Sequence, residues 1–354
     1  MRNTHQEMME RRTRLARRLA LLGTFLAAIV VGLGAFTRLV DAGLGCPDWP
    51  GCYGHLLWPN ELHEITKAEQ RFPDSKVEQD KTWPEMVHRY FASSLGLIIV
   101  GLAVLAWKCR DSRRFPFRLP LLLLFLVVWQ GLFGMWTVTL KLWPQVVTLH
   151  LLGGMSVFAL IWLLALRLGH HGWVLPETIW RRLYRLRYGL VAGVVIVFIQ
   201  IGLGGWLSSN YAAFACPDFP RCQGDWWPPM AVAEGFNIFQ HIGPNYLGGL
   251  MTNEARVAIH FIHRLGALLT FVYLSGLCVA LVYVGEPRVT RLAVVIFALL
   301  LVQLSLGVGN VLFSIPLPLA VLHNAGAALL LLGLVTVGAR IWMAKKPGND
   351  VVDD

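Results

Sequence analysis

The chain has 354 residues, of which 56% are apolar and only 15% are charged. A soluble domain carries about 25% charged residues, so this composition argues against a water-soluble globule. With 34 glycines and 6 cysteines, the chain also differs from a collagen-like protein and from a disulfide scaffold. The net charge of +10 leaves a nucleic-acid-binding role open until the positions of Lys and Arg are considered.

Apolar residues concentrate in eight segments, each close to the roughly 20 residues with which a helix crosses a bilayer. None of these segments alternates apolar and polar residues as the strands of a membrane β-barrel do. The sequence therefore predicts an all-α polytopic membrane protein. The predicted transmembrane spans are Leu19–Phe36, Met86–Trp107, Leu119–Leu140, Val146–Leu168, Tyr188–Leu207, Val257–Val284, Leu292–Leu312 and Leu317–Trp342.

The basic residues predict the orientation. Most Lys and Arg residues lie before the first span or directly after the second, fourth, sixth and eighth spans. The positive-inside rule then places both termini in the cytoplasm and the other loops outside. Topology and lipid contact thus explain the net charge, and we expect no nucleic-acid partner. The two long outer segments, Thr37–Glu85 and Ser208–Arg256, are interpreted as a lid, a docking surface or plain connections.

The chain contains an internal repeat. The segment Cys46–Cys52 recurs about 170 residues later as Cys216–Cys222, with a Pro-Asp-aromatic-Pro turn inside both. Each repeat has four spans, an even number, so both copies enter the membrane in the same direction. We therefore predict two pseudo-symmetric four-helix bundles, formed by residues 1–180 and 181–354. The other matches include His88-Arg89 with His263-Arg264, and His150 with His323.

Five of the 11 histidines lie in the predicted spans: His88, His150, His260, His263 and His323. Ionisable residues inside a membrane are costly, which makes each a functional candidate unless it is hydrogen-bonded within the core. Four of the five match between the repeats and lie at the same depth, so each half presents two imidazoles. This pattern favours haem held by two axial histidines. Zinc fits less well, because it needs four ligands or three and a water.

Three residues close to these histidines, and His260 itself, have two interpretations each. Arg89 and Arg264 either contact haem propionates or extend to lipid phosphate. Glu85 lies three residues before His88, on the same helical face, where the second half has His260. A carboxyl group beside one haem only suits proton transfer or stabilisation of a cation. Alternatively, Glu85 merely ends the acidic outer loop, and His260 either supports a ligand or is satisfied in the core.

The repeated cysteines lie on the predicted outer side. In an oxidising compartment, the pairs Cys46/Cys52 and Cys216/Cys222 form disulfides. They either brace the two loops or have a redox role, because exposed disulfides are often labile.

Together these residues resemble the haem A synthase family, and the resemblance extends from about Leu19 to Trp342. The residues that carry it are Gly34–Leu39 leading to Gly43-Leu44, the two cysteine loops, Glu85-x-x-His88-Arg89, His150, His263-Arg264 and His323. The cysteine loops resemble those of the bacterial, cysteine-containing branch of the family.

The resemblance implies oxidation of the C8 methyl group of haem O to a formyl group, which gives haem A for terminal oxidases. It implies that His263 and His323 hold a haem B cofactor and that His88 and His150 hold the substrate haem. Glu85 would be the catalytic carboxylate. The implied location is the bacterial cytoplasmic (inner) membrane, with a haem O synthase as a partner, and a homo-oligomer is left open.

Two other functions fit part of the sequence. A di-haem electron carrier between quinol and an outer-face acceptor would also use the four histidines, but the presence of Glu85 in one half favours the synthase. A disulfide-exchange membrane enzyme would use the cysteine pairs and would leave the histidines unexplained.

Overall fold

The computed structural model describes residues 2–112, 115–169 and 172–346. Within these ranges, eight helices are long and apolar enough to cross a membrane, which confirms the predicted polytopic all-α fold. The helices are α1 (Arg2–Leu39), α2 (Leu62–Arg71), α3 (Gln79–Lys108), α4 (Arg118–Thr139), α5 (Pro144–Leu168), α6 (Glu177–Arg185), α7 (Arg187–Ser209), α8 (Val232–Gly235), α9 (Asn253–Val282), α10 (Pro287–Leu312) and α11 (Leu317–Met343).

Several helices begin earlier than the hydropathy predicts. Hydropathy marks the part of a helix that crosses the hydrocarbon, whereas a helix continues into polar surroundings wherever its backbone stays hydrogen-bonded. The largest consequence is at α3, which begins at Gln79 and continues through Pro84. Glu85 therefore belongs to the second turn of α3, directly before the predicted span Met86–Trp107.

The packing of the spanning helices follows the repeat. In the first half α1 packs on α3 and α5, and α4 packs on the same two helices. In the second half α7 packs on α9 and α11, and α10 packs on these two. The halves meet through α5 with α7, α1 with α11 and α5 with α11. Since α1 corresponds to α7 and α5 to α11, this packing fits two four-helix groups about a parallel pseudo-two-fold axis.

Small residues and one hydrogen bond support close helix packing. Ala16, Ala20 and Ala27 of α1 are buried, and such residues let neighbouring backbones approach each other in a membrane. Between the halves, Trp162 Nε1 of α5 donates a 2.8 Å hydrogen bond to Thr336 Oγ1 of α11. This hydrogen bond joins α5 to α11 across the contact between the halves.

The halves also join at the end that carries the cysteine loops. Arg38 donates to Asp41 at 3.1 Å and to the backbone carbonyl of Ser208. Tyr211 donates a 2.7 Å hydrogen bond to Asp41, and the Arg38 guanidinium lies 4.2 Å from the centre of the Tyr211 ring. The end of α1 is thereby fixed to the end of α7.

The second long segment extends across to the first half. The backbone N–H of Tyr246 donates to the carbonyl of Lys141 at 3.0 Å, and Trp143 Nε1 donates to the carbonyl of Gln240 at 3.1 Å. Lys141 and Trp143 form the turn between α4 and α5. Part of the second half therefore covers the start of α5 in the first half.

The two cysteine loops have the same internal structure. Cys46 is bonded to Cys52 and Cys216 to Cys222, which confirms the predicted disulfides. In each loop an aspartate accepts two backbone N–H bonds at 2.6–2.9 Å, as residues in turns commonly do. The bonds run from Tyr53 and Gly54 to Asp48, and from Gln223 and Gly224 to Asp218.

Tyr53 lies beneath the first cysteine loop, where its hydroxyl donates a 2.7 Å hydrogen bond to the carbonyl of Lys76. Burial, together with Glu78 and Glu69, raises the pKa of Tyr53 from 10.0 to about 12. Between pH 10 and about pH 12, the phenol of Tyr53 loses its proton in an unfolded loop and keeps it in the folded loop. The loop is therefore fully stabilised below pH 10 and loses stability as the pH rises towards 12.

We predict that an ultraviolet titration of wild type minus Tyr53→Phe isolates one tyrosine that ionises near pH 12. The other tyrosines cancel in this difference. A difference curve centred on pH 10 would show that Tyr53 is not buried in the folded loop.

Candidate haem-binding site

His88 of α3 and His150 of α5 lie close together in the first half. Their ring centroids are 6.5 Å apart, and the ring planes are at 88° to each other. An imidazole nitrogen bonds a metal at about 2 Å, as it does in zinc sites, so two rings on opposite sides of one ion have centroids about 6 Å apart. Nδ1 of each ring is buried without a hydrogen-bond partner among the described residues. The spacing and the unpaired nitrogens fit an iron held by both rings.

The second half has the matching pair, His263 of α9 and His323 of α11, which interact electrostatically. Here Nδ1 of His263 lies 3.1 Å from Nε2 of Gln200, an α7 residue. Nε2 of His323 lies 3.4 Å from Nε2 of Gln303, on α10. The structure thus brings together the two predicted histidines of each half.

The described residues contain no group of three or more His, Cys, Asp or Glu side chains that could hold a metal ion. Each pocket offers two imidazoles. Two imidazoles are enough to hold a haem iron, because the macrocycle supplies its other ligands.

A glycine of the preceding spanning helix lies against each histidine ring. A Cβ atom at Gly34 would lie 2.9 Å from Cε1 of His88, which is closer than real Cβ contacts. The distances from such a Cβ atom to Cε1 of the histidine are 2.9 Å for Gly34–His88, 3.6 Å for Gly134–His150, 3.3 Å for Gly204–His263 and 3.0 Å for Gly307–His323. Gly34, Gly204 and Gly307 therefore provide the space in which their histidine rings lie, whereas a methyl group at Gly134 would be in ordinary contact. Sequence reasoning missed this role, although the repeat aligns Gly34 with Gly204 and Gly134 with Gly307.

Glu85 lies one turn before His88 and is only 5% exposed. Its Oε2 accepts a 2.9 Å hydrogen bond from the backbone N–H of Cys46, and its Oε1 accepts one from Arg89. At the corresponding place in the second half, His260 Nδ1 lies 3.1 Å from the carbonyl of Ala212. His260 is thus satisfied within the core. A buried carboxylate next to a histidine pair occurs in the first half and has no counterpart at this position in the second.

The two arginines hold the cysteine loops against the helices that carry the histidines. Arg89 donates to the carbonyls of Asp48 at 3.1 Å and Gly51 at 2.6 Å. Arg264 donates at 2.8 Å to the carbonyls of Cys216 and Arg221. Nε of Arg264 is buried and has no acceptor among the described residues. The arginine partners in the structure are therefore loop carbonyls and, for Arg89, also Glu85 and the Met86 sulfur.

The fold and site define a polytopic membrane protein with one bis-histidine pocket in each of two repeated halves. The chain belongs to the cytochrome oxidase assembly protein family, whose model matches residues 17–335. The matched range contains all four paired histidines, Glu85 and both cysteine loops.

The chain is similar to several curated proteins named heme A synthase. The protein from Shewanella oneidensis is 44% identical over 89% of this chain and 93% of its own length. The protein from Sinorhizobium fredii is 29% identical over 91% of this chain and 88% of its own length. The protein from Caulobacter vibrioides is 28% identical over 93% of this chain and 95% of its own length.

The glycine spacing yields a paired prediction for the first pocket. Gly34→Ala places a methyl group against the His88 ring, whereas Gly134→Ala places one at ordinary contact distance from His150. Overpacking costs about 1–3 kcal/mol, and 1.4 kcal/mol is about tenfold in affinity. In haem titrations of the purified protein, we expect Gly34→Ala to weaken binding at this pocket about tenfold or more and Gly134→Ala to leave it unchanged. Equal affinities for the two variants would contradict the role of Gly34.

Proposed function

We propose that the chain is a haem A synthase, a membrane oxidoreductase that converts haem O to haem A for terminal oxidases. The observation that carries this proposal is the buried carboxylate of Glu85 beside only one of two matched histidine pairs. An electron carrier with two equivalent haems has no need of that difference. The family of the chain and its relatives named heme A synthase support the same function.

We assign the two pockets different roles. His88 and His150 bind the substrate haem O, and His263 and His323 bind haem B as the cofactor. The position of Glu85 supports this assignment, because the group that acts on the substrate has to lie in the substrate pocket. Residues 1–180 then form the substrate half and residues 181–354 the cofactor half.

The reaction oxidises the C8 methyl group of haem O to a formyl group through successive hydroxylations and loss of water, and the electrons and protons removed pass to an external electron acceptor and to solvent. Haem B, when bound, supplies an iron that changes oxidation state and so carries electrons. Glu85 stabilises the positive charge that develops at the methyl carbon as electrons are withdrawn, and it takes up a proton. Arg89 and the N–H of Cys46 hold the Glu85 carboxylate in place for this role.

The cysteine loops and their arginines lie at the same end of each half as the pockets. The buried Nε of Arg264 is a free donor for a haem propionate, and Arg89 is placed equivalently in the first half. We propose that this end faces the outside of the bacterial inner membrane and that both termini are cytoplasmic. The substrate would come from a haem O synthase in the same membrane.

The role of Glu85 predicts the effect of Glu85→Gln. The amide still accepts a hydrogen bond from Cys46 but carries no charge. We expect haem A formation to fall by about 10²–10⁴-fold, the contribution typical of a positioned acid or base. The reduced-minus-oxidised spectrum of haem B should be unchanged. The measurement is extraction and chromatography of haems after incubation with haem O and an electron acceptor.

The matched control is Glu78→Gln, which removes an exposed carboxylate directly before α3 and should convert haem O like wild type. Loss of the haem B spectrum in Glu85→Gln would reverse the assignment of the halves. If the wild-type protein never forms haem A, the proposed function is wrong.

A further inference from the structure

The two halves differ at a second, half-buried position, on the helices that begin each half. Gln200 of α7 lies within 3.1 Å of Nδ1 of His263 and donates a 3.0 Å hydrogen bond to the His263 backbone carbonyl. The register that aligns Cys216 with Cys46 aligns Gln200 with Val30 of α1. The first half therefore offers His88 an apolar side chain and the backbone of Val30, where the second half offers His263 a side-chain amide.

The second half also contains the space that this amide needs. Gln200 lies against Gly266 of α9, where a Cβ atom would overlap the Gln200 side-chain oxygen. The register that aligns His263 with His88 places Phe91 at the position of Gly266. The first half therefore lacks both the amide and the space for it.

Another pair of glutamines occupies matching positions in the two halves, although only Gln303 lies within 3.4 Å of its histidine, His323. Gln130 of α4 lies over Gly153 of α5, and Gln303 of α10 lies over Gly326 of α11 in the same way. The differences in residue type described for the two pockets therefore lie on α1 and α3 in the first half and on α7 and α9 in the second.

A histidine that binds a metal through one ring nitrogen usually donates a hydrogen bond from the other. This second bond fixes the ring and raises the basicity of the ligand. Oε1 of Gln200 is buried and has no partner among the described residues. When Nδ1 of His263 carries its proton, a half-turn of the amide exchanges the oxygen and nitrogen of Gln200. Oε1 then accepts from Nδ1, and the bond that Nε2 donates to the His263 carbonyl is given up. Gln200 can therefore hold His263 in the form that binds iron through Nε2.

We propose that Gln200 is a positioning residue that makes the second histidine pair retain its haem. Val30 leaves the first pair suited to a haem that is bound and released. This inference rests on the proposed function, in which one pocket keeps a cofactor and the other exchanges substrate for product at every turnover.

Two substitutions of Gln200 separate hydrogen bonding from packing. Gln200→Met fills the same space and cannot accept the Nδ1–H bond, whereas Gln200→Glu keeps an acceptor at the same reach. The full chain is purified in detergent with haem B bound. The rate of haem loss to an excess of a haem-scavenging globin and the midpoint potential of the retained haem are measured.

We expect Gln200→Met to lose haem B about 10–100-fold faster than wild type, the loss of affinity typical when such a partner is removed. Its midpoint potential rises, because a less basic imidazole stabilises ferric iron less well. Gln200→Glu retains haem like wild type and has a lower midpoint potential. The inference is overturned if Gln200→Met retains haem B and keeps the wild-type midpoint potential while Gln200→Glu loses haem B. That result would show that Gln200 acts by packing alone.

The reciprocal experiment introduces a matching amide, and the space that it needs, into the first half. Val30→Gln combined with Phe91→Gly supplies the amide and its space beside His88. The variant should retain a second haem through dilution that wild type loses, with the haem of the second half as an internal measure of folding. A variant that keeps the second-half haem and still releases the first overturns the inference.

Haem A formation by wild type, assayed in parallel, separates the two proposals. If wild type never converts haem O while Gln200→Met releases haem faster, the proposed function fails and the role of Gln200 in retention stands. If wild type converts haem O and Gln200→Met keeps its haem, only the inference about Gln200 fails.

Discussion

Two imidazoles have to meet inside a bundle that is surrounded by hydrocarbon, and the arrangement of both halves depends on this contact. An imidazole is costly to bury unless its nitrogens find partners, and it needs space between tightly packed helices. The structure provides the space with glycines such as Gly34 and Gly307, which lie directly against the rings. The two rings of the first half are then spaced as one metal ion requires.

The departures from symmetry give the two pockets different chemistry. Glu85 and Arg89 place a buried ion pair beside the first pocket, under the disulfide loop that begins at Cys46. Gln200 places a neutral amide beside the second pocket. Glu85 lies one turn from His88, and Gln200 lies directly against His263. Each of these groups therefore acts on one pocket only. A repeated scaffold thereby surrounds its two histidine pairs with different polar groups.

Much of this could be predicted from the sequence, because membrane constraints are strong. Hydropathy finds the eight spans, and the repeat matches His88 with His263 and His150 with His323. The equal depth of these histidines then predicts one pair in each half. The ends of the helices were less predictable. Polar residues continue α3 beyond its apolar part, so Glu85 belongs to the helix. The contacts of Arg89 and Gln200 depend on which helices pack together, which no local pattern encodes.

The packing between the halves also bears on the origin of the chain. The contacts of α5 with α7 and of α1 with α11 are equivalent under the repeat, and α5 with α11 lies on the axis itself. These are the contacts of a symmetric dimer. A single ancestral gene for a four-helix protein, duplicated and fused end to end, accounts for them. The Tyr246–Lys141 bond, by contrast, joins the halves in one direction only, as a contact acquired after fusion would.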